Sequence, residues 1–99
     1  MAGGEMGGGD APQTVKAKIQ NQKGLHARAA AKFVKVANAY DADIRVVKGE
    51  TDVCGRSIMG LMMLAAGIGC EIELRAIGPG AGPVLAALVD LIDRKFDEE

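Results

Sequence analysis

The sequence predicts an α+β domain with the element order βαββαβα. We expect an open-faced sandwich, in which three helices cover one face of a four-stranded, mainly antiparallel sheet. Short segments that alternate apolar and polar residues indicate strands with one solvated face. Segments with apolar residues three and four positions apart indicate amphipathic helices between these strands. The length of 99 residues suits one small domain with a modest core.

The first half of the chain predicts a strand, a helix and two further strands. Residues 14–20 alternate, and residues 27–39 then show helical spacing. Residues 44–48 alternate again, and a turn at 48–50 leads into a short strand at 51–54. The strands at 44–48 and 51–54 are therefore predicted to form a hairpin.

The second half of the chain predicts a short helix, a strand and a final helix. Ser57 stands directly before the apolar run 58–64, where its hydroxyl can accept a backbone N–H as the N-cap of a helix. Residues 71–77 alternate as the fourth strand. Pro83 suits the first turn of the final helix. The apolar side of that helix carries Leu85, Leu88, Val89, Ile92 and Phe96.

The two ends of the chain differ in composition from the middle. Five of the 14 glycines fall within residues 1–9, and we expect residues 1–13 to form a disordered glycine-rich tail. Residues 14–96 form the predicted domain, and residues 97–99 form an acidic end. The formal net charge is −1, but the domain without these ends carries +4. That charge is too weak for a dedicated nucleic-acid binder and favours an acidic protein partner.

Several kinds of site and location are disfavoured by the composition. No stretch approaches the roughly 20 apolar residues that span a bilayer, and the glycine-rich start lacks the features of a signal peptide. We therefore expect a cytoplasmic protein without a membrane partner.

Cys54 and Cys70 lack the spacing of a metal site, and we expect two buried free thiols, no metal and no cofactor. The loop at 78–82 lacks the Gly-Lys-Ser/Thr of a nucleotide-binding loop and is interpreted as a connector.

The only histidine, His26, lies where a glycine-containing loop meets the first predicted helix. Unpaired N–H groups and the positive end of the helix dipole create an anion site there, to which Lys23 and Arg28 can add positive charge. A histidine in this place can accept a phosphoryl group and pass it on, because the N–P bond is weak. We find no Asp or Glu placed to orient the ring as in a hydrolytic triad. The local residues therefore favour phosphoryl relay over hydrolysis.

Two motifs in the chain closely resemble the HPr family, the histidine-containing phosphocarriers of the bacterial phosphoenolpyruvate-dependent phosphotransferase system. The first is GLHAR at 24–28, which is followed by a helix of small residues. The second is SIMGLM at 57–62, some thirty residues later. The resemblance covers about residues 14–96 and includes the predicted element order.

This resemblance implies a route for the phosphoryl group. In HPr proteins, Enzyme I is charged by phosphoenolpyruvate and phosphorylates the histidine, which then passes the group to an Enzyme IIA protein. His26 matches that histidine, which carries the group on Nδ1, and Arg28 matches the arginine that helps to hold and release it. Ala29 stands where the family usually has proline, a variation that resembles the nitrogen-related or regulatory branch of NPr-like proteins. The resemblance implies a monomeric carrier that serves either sugar uptake or nitrogen signalling.

Ser57 has two interpretations. As an ordinary N-cap it stabilises a short helix by about 1 kcal/mol. In HPr proteins from lineages that possess HPr kinase/phosphorylase, the matching serine is phosphorylated as a regulatory mark. The added negative charge at a helix N-terminus is expected to block docking with little refolding.

The resemblance also implies a docking surface beside His26. Ile58, Met59 and Met62 match an exposed apolar patch, in which adaptable methionines suit several partners. Leu61, Met63 and Leu64 are interpreted as core residues, or the question of their burial is left open. We expect the patch to be ringed by the basic side chains Arg28, Lys32, Lys35 and Arg56.

Two alternative functions stay open. A binding module of ferredoxin-like layout shares much of the element order, but an RNA-reading version needs stacking aromatics on exposed strand faces. Phe33, Tyr40 and Phe96 are not placed there. The second alternative is a regulatory HPr relative that acts mainly by phosphorylation-dependent protein binding, without sugar transport.

Overall fold

The computed structural model describes residues 11–98 and confirms the predicted element order. The elements are β1 (Gln13–Lys18), α1 (Ala27–Ala37), β2 (Asp43–Lys48), β3 (Thr51–Cys54), α2 (Ile58–Met63), β4 (Glu71–Ile77) and α3 (Ala81–Asp93), followed by a 3₁₀ turn (Lys95–Asp97). Residues 1–10 of the predicted glycine-rich tail lie outside the described residues. Glu99 also lies outside them.

The four strands form one antiparallel sheet in the order β1-β4-β2-β3. Leu74 of β4 pairs with Val15 of β1 on one side and with Val46 of β2 on the other. The apolar residues therefore lie side by side on one face of the sheet. The alternate residues of β4, such as Glu71 and Arg75, are exposed. This arrangement confirms the open-faced sandwich.

Helix α1 lies in the core above the apolar face of the sheet and packs closely against α2 and α3 through small residues. Ala29, Ala30, Phe33 and Ala37 are buried, and alanine lets a helix approach its neighbours closely. Val34, which helical spacing places on this face, is only partly buried. The buried face of α1 is therefore formed by its alanines and Phe33, and Val34 lies at the edge of that face.

Helix α3 covers the rest of the same sheet face. Its buried side chains are Ala81, Val84, Leu85, Leu88, Leu91 and Ile92. The predicted apolar side is correct for Leu85, Leu88 and Ile92, whereas Val89 is half-buried. Phe96 is fully buried but lies beyond the end of the helix, in the 3₁₀ turn.

The C-terminal turn has a left-handed backbone at three consecutive residues that are not glycine. The φ angles of Lys95, Phe96 and Asp97 are 58°, 55° and 60°. Each such conformation costs about 1–2 kcal/mol for an L-residue, and burial of the Phe96 ring offsets part of that cost. The turn reverses the chain after α3 and brings Glu98 to the start of α1.

The two cysteines differ from the predicted pair of buried thiols. Both are free, but Cys54 is exposed and Cys70 is half-buried. Cys54 is exposed because it ends β3, a four-residue strand at the edge of the sheet. Among residues 11–98, no group of three or more His, Cys, Asp or Glu side chains could hold a metal ion. No helix in this part of the chain has the length and apolar character needed to cross a bilayer.

The loop before α1 depends on Gly24. Its φ is +65°, and a Cβ atom at this position would lie 2.4 Å from the carbonyl oxygen of Ala66. That same oxygen accepts a hydrogen bond from the Leu25 N–H at 3.0 Å. The absence of a side chain at Gly24 therefore lets the loop that carries His26 lie against the segment after α2.

We expect Gly24→Ala to destabilise the protein more than Gly49→Ala. Both glycines have positive φ, +65° and +59°, but a Cβ at Gly49 would meet nothing within 4 Å. Gly49→Ala should lower the free energy of unfolding by about 1 kcal/mol, the cost of the left-handed backbone. Gly24→Ala adds a clash with backbone and should cost at least about 2 kcal/mol. Urea denaturation followed by circular dichroism measures both values, and equal losses would contradict the role given to the Ala66 contact.

Candidate functional site

His26 is the N-cap residue of α1. Its backbone is extended, with φ −74° and ψ 177°, and its side chain makes no capping hydrogen bond. Its carbonyl accepts the Ala30 N–H at 2.9 Å and so begins the helix. No acidic residue lies in the first turn of α1. The ring therefore stands beside the positive end of the helix dipole, as predicted.

The ring of His26 contacts a carboxylate from the far end of the chain. Nε2 of His26 pairs with Oε2 of Glu98, and the two side chains are 27% and 15% exposed. The other oxygen of Glu98, Oε1, accepts a hydrogen bond from Nδ2 of Asn21 at 3.0 Å. Asn21 is fully buried, and the same Nδ2 donates to the Gly24 carbonyl at 2.9 Å. Asn21, Glu98 and His26 thus form a continuous hydrogen-bonded chain.

The prediction that no carboxylate orients His26 is therefore wrong. Glu98 lies 72 residues from His26 in the sequence, in the segment predicted as an acidic end that follows the domain. The left-handed turn at 95–97 brings it back to the site. The three acidic residues that close the chain are the only signal in the sequence, and they do not indicate where the chain turns.

The environment of Glu98 keeps its carboxyl group ionised. Burial alone would raise its pKa, but the hydrogen bonds from His26 and Asn21 and the nearby charges of His26 and Lys23 outweigh burial, so the pKa lies below its ordinary value. A group whose pKa is lower in the folded state adds stability above its unfolded pKa and loses it as the pH falls through the folded pKa. An ionised carboxylate only accepts hydrogen bonds, so Nε2 of His26 carries the hydrogen. In the neutral ring, Nδ1 then holds the free lone pair.

An open cavity of about 320 Å³ surrounds this pair. Its lining consists of Gln22, Lys23, His26, Arg28, Lys32, Asp97 and Glu98. Nζ of Lys32 donates to the carbonyl of Phe96 at 2.7 Å and so fastens the C-terminal turn to α1. Lys23 and Arg28 are exposed and make no side-chain hydrogen bond or ion pair within residues 11–98. Their charges remain available to an anion in the cavity.

Two of the predicted docking cations lie elsewhere. Lys35 lines a different groove, together with Tyr40 and Arg94. Arg56 is half-buried, and its Nε donates to Oδ1 of Asn38 at 3.0 Å.

The other contacts of Arg56 explain its position. Its Nη2 donates to the carbonyls of Ala37 at 3.2 Å and Tyr40 at 2.9 Å. Arg56 therefore caps the C-terminal end of α1, where carbonyl groups lack helical partners. Of the four predicted cations, Arg28 and Lys32 line the cavity together with Lys23, and the docking roles of Lys35 and Arg56 stay predictions.

Helix α2 begins at Ser57 and exposes an apolar patch. The Ser57 hydroxyl accepts the Gly60 N–H at 2.9 Å, which confirms the predicted N-cap. Ile58, Met59 and Met62 are 41%, 73% and 45% exposed. Leu61 and Leu64 are buried, but Met63, interpreted as core or left open, is 71% exposed and extends the patch. The bond between Leu25 and Ala66 joins the segment after α2 to the His26 loop.

The sequence and the fold match known phosphocarrier proteins. The family described as "PTS HPr component phosphorylation site" matches residues 13–94. The HPr phosphocarrier of Pseudomonas aeruginosa is 52% identical over 81 residues, which cover 81% of this chain and 90% of that protein. The NPr phosphocarrier of Shewanella violacea is 45% identical over 80 residues, covering 81% and 88%.

A solved structure supports the same assignment. The crystal structure of HPr-C-His from Thermoanaerobacter tengcongensis superposes with a TM-score of 0.84 at 42% identity, covering 88% of this chain and 98% of that chain. Sequence and fold together define a phosphocarrier. The chain belongs to the HPr family of the phosphotransferase system, whose members interact with Enzyme I and Enzyme IIA proteins.

Proposed function

We propose that His26 accepts a phosphoryl group from phosphorylated Enzyme I and passes it to an Enzyme IIA protein. The observation that carries this proposal is the position of the ring at the start of α1, in a cavity lined by three cationic side chains. The ring is 27% exposed, so a partner can reach it. We further propose that the carrier acts as a monomer.

The transfer proceeds through one bond formed and one broken. The lone pair on Nδ1 of His26 attacks the phosphorus of phospho-Enzyme I, and the bond between phosphorus and the donor atom of Enzyme I breaks as the new N–P bond forms. Lys23, Arg28 and the free N–H groups of the first turn of α1 stabilise the negative charge on the phosphoryl oxygens. Attack by a nucleophile of Enzyme IIA reverses these steps and returns a neutral imidazole.

The docking surface that we propose consists of the exposed side chains of α2 and the free cations at the cavity. Met59 and Met62 give it a flexible apolar centre, which suits two partners with different surfaces. Lys23 and Arg28 give it positive charge, which favours acidic partner surfaces. Relatives described as HPr and as NPr share this carrier function. The same carrier step would serve either sugar uptake or nitrogen signalling.

We also propose that phosphorylation of Ser57 by an HPr kinase/phosphorylase inhibits this carrier. Ser57 is half-buried at the start of α2 and directly precedes the exposed patch. A phosphoryl group on its oxygen would add about −1.5 to −2 charges at pH 7 beside Ile58 and Met59. An acidic partner surface would then be repelled from the docking site, while the helix N-terminus favours the added charge.

We expect His26→Ala to accept no phosphoryl group from phosphoenolpyruvate and Enzyme I. The wild-type protein should take up one phosphate per chain that is labile in acid and stable in alkali, as an N–P bond requires. Ser57→Ala is the matched control, because it retains His26 and should be labelled at the wild-type rate. Equal labelling of His26→Ala and the wild type would refute the proposal.

We expect Ser57 phosphorylation to slow uptake from Enzyme I by about tenfold or more, as expected for like charges at an interface. Incubation with ATP and an HPr kinase/phosphorylase should give an acid-stable phosphate that is absent in Ser57→Ala. The rate of subsequent His26 labelling is then compared between the phosphorylated and unphosphorylated protein. An unchanged rate would show that the mark does not inhibit docking.

A further inference from the structure

Two carboxylates line the cavity, which a phosphate cradle does not require, and of these only Glu98 contacts His26. Glu98 is an ionised carboxylate, and a negative charge beside a phosphoryl group is unfavourable unless it acts on another atom. Its partner is Nε2 of His26, the ring nitrogen that does not attack. The contact therefore acts on the ring itself.

We propose that Glu98 is a positioning residue that holds the ring proton of His26 on Nε2 throughout the carrier cycle. Nδ1 is then always the atom that receives and releases the phosphoryl group. This inference rests on the proposed role of His26 as the phosphoryl acceptor.

The structure holds Glu98 in place from both sides. Oε1 is fixed by Nδ2 of Asn21 at 3.0 Å, which leaves Oε2 directed at the ring. The backbone before Glu98 is fixed by the buried ring of Phe96 and by the 2.7 Å bond from Lys32 to the Phe96 carbonyl. Nε of Arg94 also donates to Oδ1 of Asp97 at 3.0 Å. These contacts maintain three left-handed residues, a conformation that persists only where its surroundings enforce it.

Retention of the proton explains how the carrier can both load and discharge. Attack by Nδ1 forms the new N–P bond and leaves the ring as a cation that still carries hydrogen on Nε2. The Glu98 carboxylate accepts that hydrogen and balances the positive charge. When the N–P bond breaks in the onward transfer, the electron pair returns to Nδ1 and the leaving group is neutral imidazole. Without the proton the leaving group would be an imidazolate anion, which leaves far less readily.

The other charged groups around the ring do not supply this contact. Lys23 faces it from the loop, Arg28 and Lys32 face it from α1, and none of these side chains can accept a hydrogen bond. Asp97 lines the same cavity, but its carboxylate is paired with Arg94, which lowers its pKa. Glu98 alone among the residues lining this cavity pairs with Nε2 of His26.

The test compares Glu98→Gln with the matched control Glu71→Gln, which makes the same change on the exposed face of the sheet. Glutamine has the same size, but its NH₂ group can donate to a ring nitrogen that has lost its proton. Each protein is loaded by Enzyme I and phosphoenolpyruvate and then separated from both. We expect Glu98→Gln to lose its phosphoryl group about tenfold or more slowly at pH 8, by hydrolysis and by transfer to Enzyme IIA, because a charge-assisted hydrogen bond is lost. In acid, where the solvent can supply the ring hydrogen, the rates of the two variants should converge.

The outcomes separate this inference from the proposed function. Slow discharge of Glu98→Gln at pH 8, with Glu71→Gln like the wild type, supports the role of Glu98. Equal rates for all three proteins, or equal slowing in both variants, would overturn it while leaving His26 as the acceptor. Absence of labelling in the folded wild-type protein would instead overturn the proposed function. If Glu98→Gln does not fold, Glu98→Asp serves instead, because it keeps the charge on a shorter side chain. The ¹⁵N spectrum of this folded variant shows whether the carboxylate still contacts Nε2. If the contact is absent and discharge at pH 8 still has the wild-type rate, the inference is overturned.

Discussion

The burial of α1 in the core, against α2 and α3, determines where His26 stands. Ala29 and Ala30 lie three and four residues after the histidine and are fully buried, and Phe33 fills the space beneath the next turn. His26 therefore cannot shift along or around the helix axis unless the core opens. On the N-terminal side of His26, the backbone is fixed by the hydrogen bond from the Leu25 N–H to the Ala66 carbonyl. A small core is sufficient because only one side chain has to be presented.

The features that were predictable from the sequence are those that depend on local spacing. Residues 71–77 alternate in polarity and form β4 with the predicted bounds, and Ser57 caps α2 as its position before an apolar run indicates. The contacts that were not predictable join distant parts of the chain. Arg56 reaches the carbonyls at the end of α1, and Glu98 reaches His26, because of turns whose geometry leaves no periodic pattern. Cys54 is exposed because β3 lies at the edge of the sheet. This exposure was not predictable, because alternation of polarity does not show the order of the strands.

The structure also changes the interpretation of the charges. The formal charge of +4 between the acidic ends suggests a broad basic surface. Lys32 is bound to the Phe96 carbonyl and Arg56 to the end of α1, so these cations stabilise the fold around the site. Lys23 and Arg28 line the cavity, and we propose that they stabilise the phosphoryl group. Glu98 belongs to the same cavity, and its negative charge complements the ring cation that phosphorylation creates.

The most direct test of this account identifies the ring nitrogen that carries the phosphoryl group. Protein labelled with ¹⁵N in the histidine ring is phosphorylated by Enzyme I, and its ring is observed by ¹H–¹⁵N and ³¹P spectroscopy. His26 is the only histidine, so the spectrum has a single assignment. The account predicts phosphorus bonded to Nδ1 and hydrogen on Nε2. A phosphoryl group on Nε2 would contradict the account, because Nε2 is the atom that is hydrogen-bonded to Glu98.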